Sequence, residues 1–202
     1  MKTDFIYLAS ASPRRSALLE QIGVAHRVLP ADISEAREPD EPSERYVMRL
    51  AEQKAAAVWK RTRGEQSRPV LAADTTVVLD ERVLGKPRDV ADALEMLADL
   101  SGRSHRVLTG VALRHMGGLT SVLSVSEVRF RPTSEAERRA YCATGEPLDK
   151  AGGYGIQGYG AVFVERIKGS FSAVVGLPLR ETAALLAQVR EPRWLFETGA
   201  GA

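Results

Sequence analysis

Residues 71–87, LAADTTVVLDERVLGKP, alternate apolar runs with short polar breaks. Val70-Leu71-Ala72-Ala73 is continuously apolar and predicts a buried strand. Asp74 follows directly, then Thr75 and Thr76. A second run, Val77-Val78-Leu79, leads to a turn at Asp80-Glu81-Arg82, and the chain returns through Val83-Leu84 to Gly85-Lys86-Pro87. A carboxylate at the end of a buried strand is costly unless something uses it. The hairpin is able to bring Lys86 back near Asp74. One reading is an acid that holds a metal or activates water beside a lysine that holds a phosphate. The other is a strand-end acid capping a turn, with a lysine on the surface.

The 202 residues suffice for one large domain or one domain of two lobes. Hydrophobic residues make up 44% and charged residues 27%, which is ordinary for a soluble globular chain. With 28 basic and 26 acidic residues the net charge is +2, too balanced for an electrostatic grip on nucleic acid or an anionic membrane. Any anion site must therefore be local. The single cysteine, Cys142, cannot form an internal disulfide, which fits a reducing cytosol. The start, MKTDFIYLAS, has neither the apolar core nor the cleavage site of a signal peptide. No apolar run approaches the roughly 20 residues of a spanning helix. His26, His105 and His115 lack zinc-type spacing.

Upstream, Phe5 to Ala9 predicts a strand and Ser12-Pro13 the start of a helix that Gly23 ends. A strand at His26–Leu29, a polar loop and a long helix near Glu44–Arg61 follow. Downstream, Asp89 caps a helix to Leu100. Strands at Ser104–Arg114 and Thr120–Phe130 flank a turn at Met116-Gly117-Gly118. Ser134 with Glu137 forms a capping-box pattern for a helix to Ala143. TGEPLDKAGGYGIQGYG then holds six glycines, suited to tight turns or close approach to a ligand. A strand at Ala161–Ile167 and a helix at Pro178–Val189 complete the order, and the last dozen residues read as a frayed tail. No repeat and no linker appears. The expectation is a single α/β domain over residues 1–202 with a mixed sheet.

SASPRR lies where a strand gives way to a helix, an end that attracts anions through free N–H groups and the helix dipole. Ser10 and Ser12 add hydroxyls, and Arg14 and Arg15 add charge. A capped helix with two solvated arginines fits the same residues. The loop lacks the Gly-Lys-Ser/Thr of a Walker A motif. Taken singly, Glu35 reads as a metal ligand or a solvated acid, and Lys54 as a site residue or part of a solvated face. Asp149-Lys150 is either a substrate contact or a local ion pair. Gln157 carries both donor and acceptor, the chemistry that reads a base edge, and equally a loop-stabilising amide.

Taken together and in order, SASPRR, ISE, EQKA, AADTTVVLD, LGKP, LSGRSH and DKAGGYGIQGYGAVFVERIKGSFSAVVGLP resemble the Maf family of nucleoside triphosphate pyrophosphatases. The resemblance runs from Ile6 to Leu179. Asp74-Thr75 and Tyr154 to Gly158 look like the branch that hydrolyses dTTP and UTP. Gly153 departs from the pattern, where Ala is commoner. The resemblance implies Asp74 as the catalytic proton acceptor, and Arg14, Thr75 and Gln157 as residues that set base preference. Ser10, Glu35, Lys54 and Lys86 match other pocket positions. It further implies an elongated, twisted mixed sheet flanked by helices in a Maf/ITPase-like fold, two lobes with a cleft between, a divalent metal, and homodimers in many members.

On that resemblance the expected activity cuts a triphosphate between its α- and β-phosphates, giving the monophosphate and pyrophosphate in the cytoplasm, with clearance of modified nucleotides as a further use. The chemistry suits it. A triphosphate brings about four negative charges, so catalysis is mainly charge neutralisation and positioning. Mg²⁺ or Mn²⁺ takes oxygen ligands, which suits Asp74 and Glu35. Ser10, Arg15, Lys54 and Lys86 are expected to hold phosphate. The alternatives are 7-methyl-GTP or a modified pyrimidine nucleotide as substrate, or a non-enzymatic partner role in inhibiting septum formation.

Overall fold

Ten residues, Val70–Leu79, form one uninterrupted strand in the computed structural model, which describes residues 5–62 and 68–189. The sequence suggested two runs with Asp74 at the end of the first. Instead Asp74, Thr75 and Thr76 lie inside the strand, and Asp74 and Thr76 are buried with the apolar residues around them. Short polar side chains do not break a strand when partners on both faces satisfy them.

In chain order the elements are β1 (Ile6–Leu8), α1 (Pro13–Gln21), β2 (His26–Val28), α2 (Ser43–Arg61), β3 (Val70–Leu79), β4 (Arg82–Leu84), α3 (Val90–Leu100), β5 (Ser104–His115), β6 (Gly118–Phe130) and α4 (Glu135–Ala143). Three short 3-10 segments follow (Glu146–Asp149, Ala151–Gly153 and Tyr159–Phe163), then β7 (Val164–Lys168), α5 (Phe171–Val175) and α6 (Leu179–Leu186). The sheet is mixed, in the order β2-β1-β3-β5-β6-β7, with β4 paired to β3. β1 runs parallel to β2 and to β3, while β3 with β4 and β6 with β7 are antiparallel. Among the described residues no helix is long and apolar enough to cross a membrane.

The described chain divides into two units. The first takes residues 5–62, 68–74, 110–123 and 176–189, and the second takes 75–109 and 124–175. The core of the first joins Tyr7 and Ala9, the α2 face of Ala51, Ala55, Val58 and Trp59, and Val70, Ala72 and Ala112 of the strands. α2 buries Val47, Leu50, Ala51, Lys54, Ala55 and Val58, a stripe at helical spacing. Gly110 of β5 lets this helix come close. A Cβ built there would lie 2.8 Å from the carbonyl oxygen of Val47 and 3.2 Å from Cα of Met48. The core of the second unit is built on Val77, Leu84, Leu97, Leu100, Val107, Phe130, Tyr154 and Phe163.

Several helix starts follow the expected chemistry. Asp89 accepts the N–H of Asp92 at 2.9 Å. Ser134 and Glu137 make the reciprocal bonds of a capping box. Pro13 opens α1, but the Ser12 side chain makes no cap bond; its N–H donates to Ser10 Oγ at 3.2 Å. Two expectations shift. The strand expected from Ala161 begins at Val164, because 159–163 winds into a 3-10 segment. α6 stops at Leu186, and α5 precedes it, started by Ser170 Oγ accepting the N–H of Ala173 at 3.2 Å. The expected tail beyond residue 190 lies outside the described residues.

Candidate active site

Lys54 lies on the buried stripe of α2, not on a solvated face. Its Nζ stands 2.6 Å from Asp74 Oδ1 on β3 and 2.6 Å from Glu35 Oε1 in the loop before α2. Asp74 is buried, whereas the Glu35 side chain is 58% exposed, so the cluster opens to solvent on the Glu35 side. Burial raises the Asp74 pKa above its ordinary value, and the Glu35 charge adds to this. The positive charges of Lys54 and Arg15 oppose the rise without cancelling it. A carboxyl held above its usual range while facing two cations is poised to accept a proton.

The strand-to-helix junction supplies the next cation. Arg15 Nη1 donates to Ser10 Oγ at 3.0 Å and Nε donates to the Gly176 carbonyl at 2.8 Å. These bonds fix the guanidinium in the neighbourhood of Asp74. Burial lowers the Arg15 pKa, and Asp74 works against that. Arg14, one residue earlier, is half-buried. Ser10, Arg15, Glu35, Lys54 and Asp74 are thus brought together within the first unit.

Three residues that the sequence reading missed hold the loop bearing Glu35. Arg49 clasps the buried Glu41 carboxylate through two 2.7 Å hydrogen bonds, and its Nη2 also donates to the Ala36 carbonyl at 3.1 Å. This clasp holds the Glu41 pKa down to about 2. Tyr46 donates its hydroxyl to the Glu35 carbonyl at 2.9 Å. Burial raises the Tyr46 pKa, and the charges of Asp74 and Glu35 raise it further. The available signal was spacing: Tyr46 and Arg49 stand three apart on the first turns of α2 and share a face.

The remaining candidates belong to the second unit. Strand geometry points Thr75 to the opposite side of β3 from Asp74. Its Oγ1 is 3.0 Å from Thr109 Oγ1, which donates to the Ala173 carbonyl at 2.8 Å. Lys86 is exposed, two residues past Leu84, the partner of Val77 in the β3–β4 hairpin. Gln157 is exposed in a turn of the glycine-rich segment. Asp149 and Lys150 form the local ion pair, at 2.5 Å.

Among the described residues no group of three or more His, Cys, Asp or Glu converges as a ready-made metal cage. The donor set nevertheless suits a hard divalent cation. Two carboxylate oxygens share one ammonium at 2.6 Å each, so both already face a common positive charge. Mg²⁺ is commonly held by one or two carboxylates, with phosphates and water completing its shell.

The family described as Maf-like protein matches residues 5–189. A dTTP/UTP pyrophosphatase of Aromatoleum aromaticum is 52% identical over 198 residues, covering 93% of this chain and 96% of the relative. One from Saccharophagus degradans is 53% identical, covering 94% and 90%. One from Anaeromyxobacter is 53% identical, covering 93% and 90%. Among solved structures, that of the Staphylococcus aureus Ham1 protein aligns with a TM-score of 0.41 at 11% identity, covering 93% of this chain and 92% of that one.

Proposed function

The chain belongs to the Maf family, and we propose that it hydrolyses dTTP and UTP to the nucleoside monophosphate and pyrophosphate. The observation that carries the reading is the buried Asp74 carboxylate facing Lys54, Arg15 and Glu35. The chain that holds it is about half identical to relatives named for this reaction. Water adds across the α–β phosphoanhydride. As its oxygen bonds to phosphorus, a proton passes to Asp74, and pyrophosphate leaves with the bridging oxygen. Arg15 and Ser10 are already bonded to each other, so they need little reorganisation to meet a phosphate. Lys54 lies between the two acids, where it balances their charge and can pass to a phosphate oxygen. Lys86 is assigned to phosphate, and Arg14, Thr75 and Gln157 to the base.

Asp74 and Glu35 are the residues that would hold Mg²⁺ or Mn²⁺, which would supply neutralisation of phosphate charge. The cytosol is the proposed location, in keeping with the single Cys142. The test is pyrophosphate release from dTTP, UTP, dATP and 7-methyl-GTP with Mg²⁺ and with Mn²⁺. Higher kcat/KM for dTTP and UTP is expected. A UTP to 7-methyl-GTP ratio below one overturns the pyrimidine assignment, and no pyrophosphate from any triphosphate overturns the activity.

A further inference from the structure

We propose that Glu146 is a positioning residue for base selectivity, its carboxylate holding segment 155–160 in the shape that presents Gln157; this rests on the reading of Gln157 as a base-reading amide. Gly155, Gly158 and Gly160 are not among the positive-φ glycines, so backbone conformation does not demand them. Space does. A Cβ on Gly158 would lie 2.1 Å from Glu146 Oε2, and one on Gly155 would lie 2.7 Å from Oε1. One on Gly160 would meet the Tyr141 hydroxyl at 2.8 Å. Gly155 and Gly158 leave room for a carboxylate of the same chain, and Gly160 for the Tyr141 hydroxyl and the Gly155 backbone.

Both oxygens of that carboxylate are bonded. Oε2 accepts the N–H of Tyr159 at 2.9 Å. Oε1 accepts the N–H of Gly160 at 3.1 Å and the hydroxyl of Tyr141 at 2.9 Å. The Tyr141 oxygen in turn accepts the N–H of Gly155 at 3.0 Å. Both ends of the turn that carries Gln157 are therefore tied to Glu146, the exit directly and the entry through Tyr141. The turn itself closes by the Gly158 N–H on the Gly155 carbonyl at 3.2 Å. Burial alone would raise the Glu146 pKa, but the two backbone N–H groups and the Tyr141 hydroxyl outweigh it and lower the value. Gln157 itself is exposed and owes its placement to this backbone.

Glu146→Gln keeps the volume but turns an NH₂ toward backbone donors. The readout is kcat/KM for UTP, for 7-methyl-GTP and for ribose 5-triphosphate, which has no base to read. The expected result is a UTP to 7-methyl-GTP ratio lowered about tenfold, with ribose 5-triphosphate within about twofold of wild type. Gln157→Ala lowers the same ratio, and the double variant loses no more than Gln157→Ala alone. An unchanged ratio in Glu146→Gln, or an equal loss for UTP and ribose 5-triphosphate, overturns the proposal while the base-reading role of Gln157 stands. An unchanged ratio in Gln157→Ala instead removes that role, and the proposal with it. Should Glu146→Gln not fold, Tyr141→Phe removes the bridge to Gly155 and is read in the same way.

Discussion

Lys54 Nζ lies 2.6 Å from Asp74 Oδ1, and both side chains are almost sealed from solvent, at 10% and 11% exposure. The pair sets two properties at once. Lys54 favours the ionised acid against the cost of burial, and in the proposed reaction it would be the cation that meets phosphate charge.

The first prediction is a pH dependence. Asp74 must be ionised to accept a proton, and its pKa is raised by burial, with Lys54 first among the groups that oppose the rise. The acid limb of kcat/KM therefore lies above the ordinary aspartate range. In Lys54→Met that opposition is gone, so the limb moves to still higher pH. A limb that stays put or moves lower would show that another group titrates.

Asp74→Asn removes the proposed proton acceptor and leaves a similar shape. Turnover of UTP falls by about 10²–10⁴-fold. The fold persists, because the amide still offers Lys54 an oxygen and the burial cost of an ionised carboxylate is gone. Pyrophosphate release near the wild-type rate from a folded variant would dismiss Asp74 as the base.

Arg49→Met isolates the clasp that anchors the Glu35 loop. It leaves the buried Glu41 carboxylate without its cation, with an expected loss of stability of about 3 kcal/mol in urea unfolding at neutral pH. The Glu41 pKa is depressed to about 2, so the wild-type contribution is complete above the ordinary glutamate range and is lost as pH falls toward about 2. The variant's deficit should shrink over that window. A deficit independent of pH would assign it to lost packing of the arginine stem.

Lys86→Ala tests the phosphate assignment. Phosphate is common to every substrate, so kcat/KM should fall by a similar factor for UTP, dTTP and dATP. A change in base preference at an unchanged overall rate would move Lys86 out of the phosphate set.

Much of the fold was legible because its signals are local. Asp89, Ser134 with Glu137, and Pro13 mark helix starts by chemistry that acts within one turn. The continuity of β3 was not, because Asp74, Thr75 and Thr76 look like a break until their partners, Lys54 and Thr109, arrive from distant segments. The same holds for the site. The stripe Val47, Leu50, Ala51 already placed Lys54 on the core side of α2, yet a lysine there reads as solvated until two acids are seen to share it. Nothing in the sequence tied Arg49 to Glu41, since the bond joins a helix to an irregular loop.

The close approach of α2 at Gly110 reaches further than packing. The helix rests backbone against backbone on a residue without a side chain, and seven positions past Val47 it carries the ammonium over Asp74. An added methyl group at Gly110 would lift the helix by tenths of an ångström and carry Lys54 with it. A survey of variants ranked by lost turnover should then score this glycine, which bears no functional group, alongside the acids and the lysine it keeps in reach of one another.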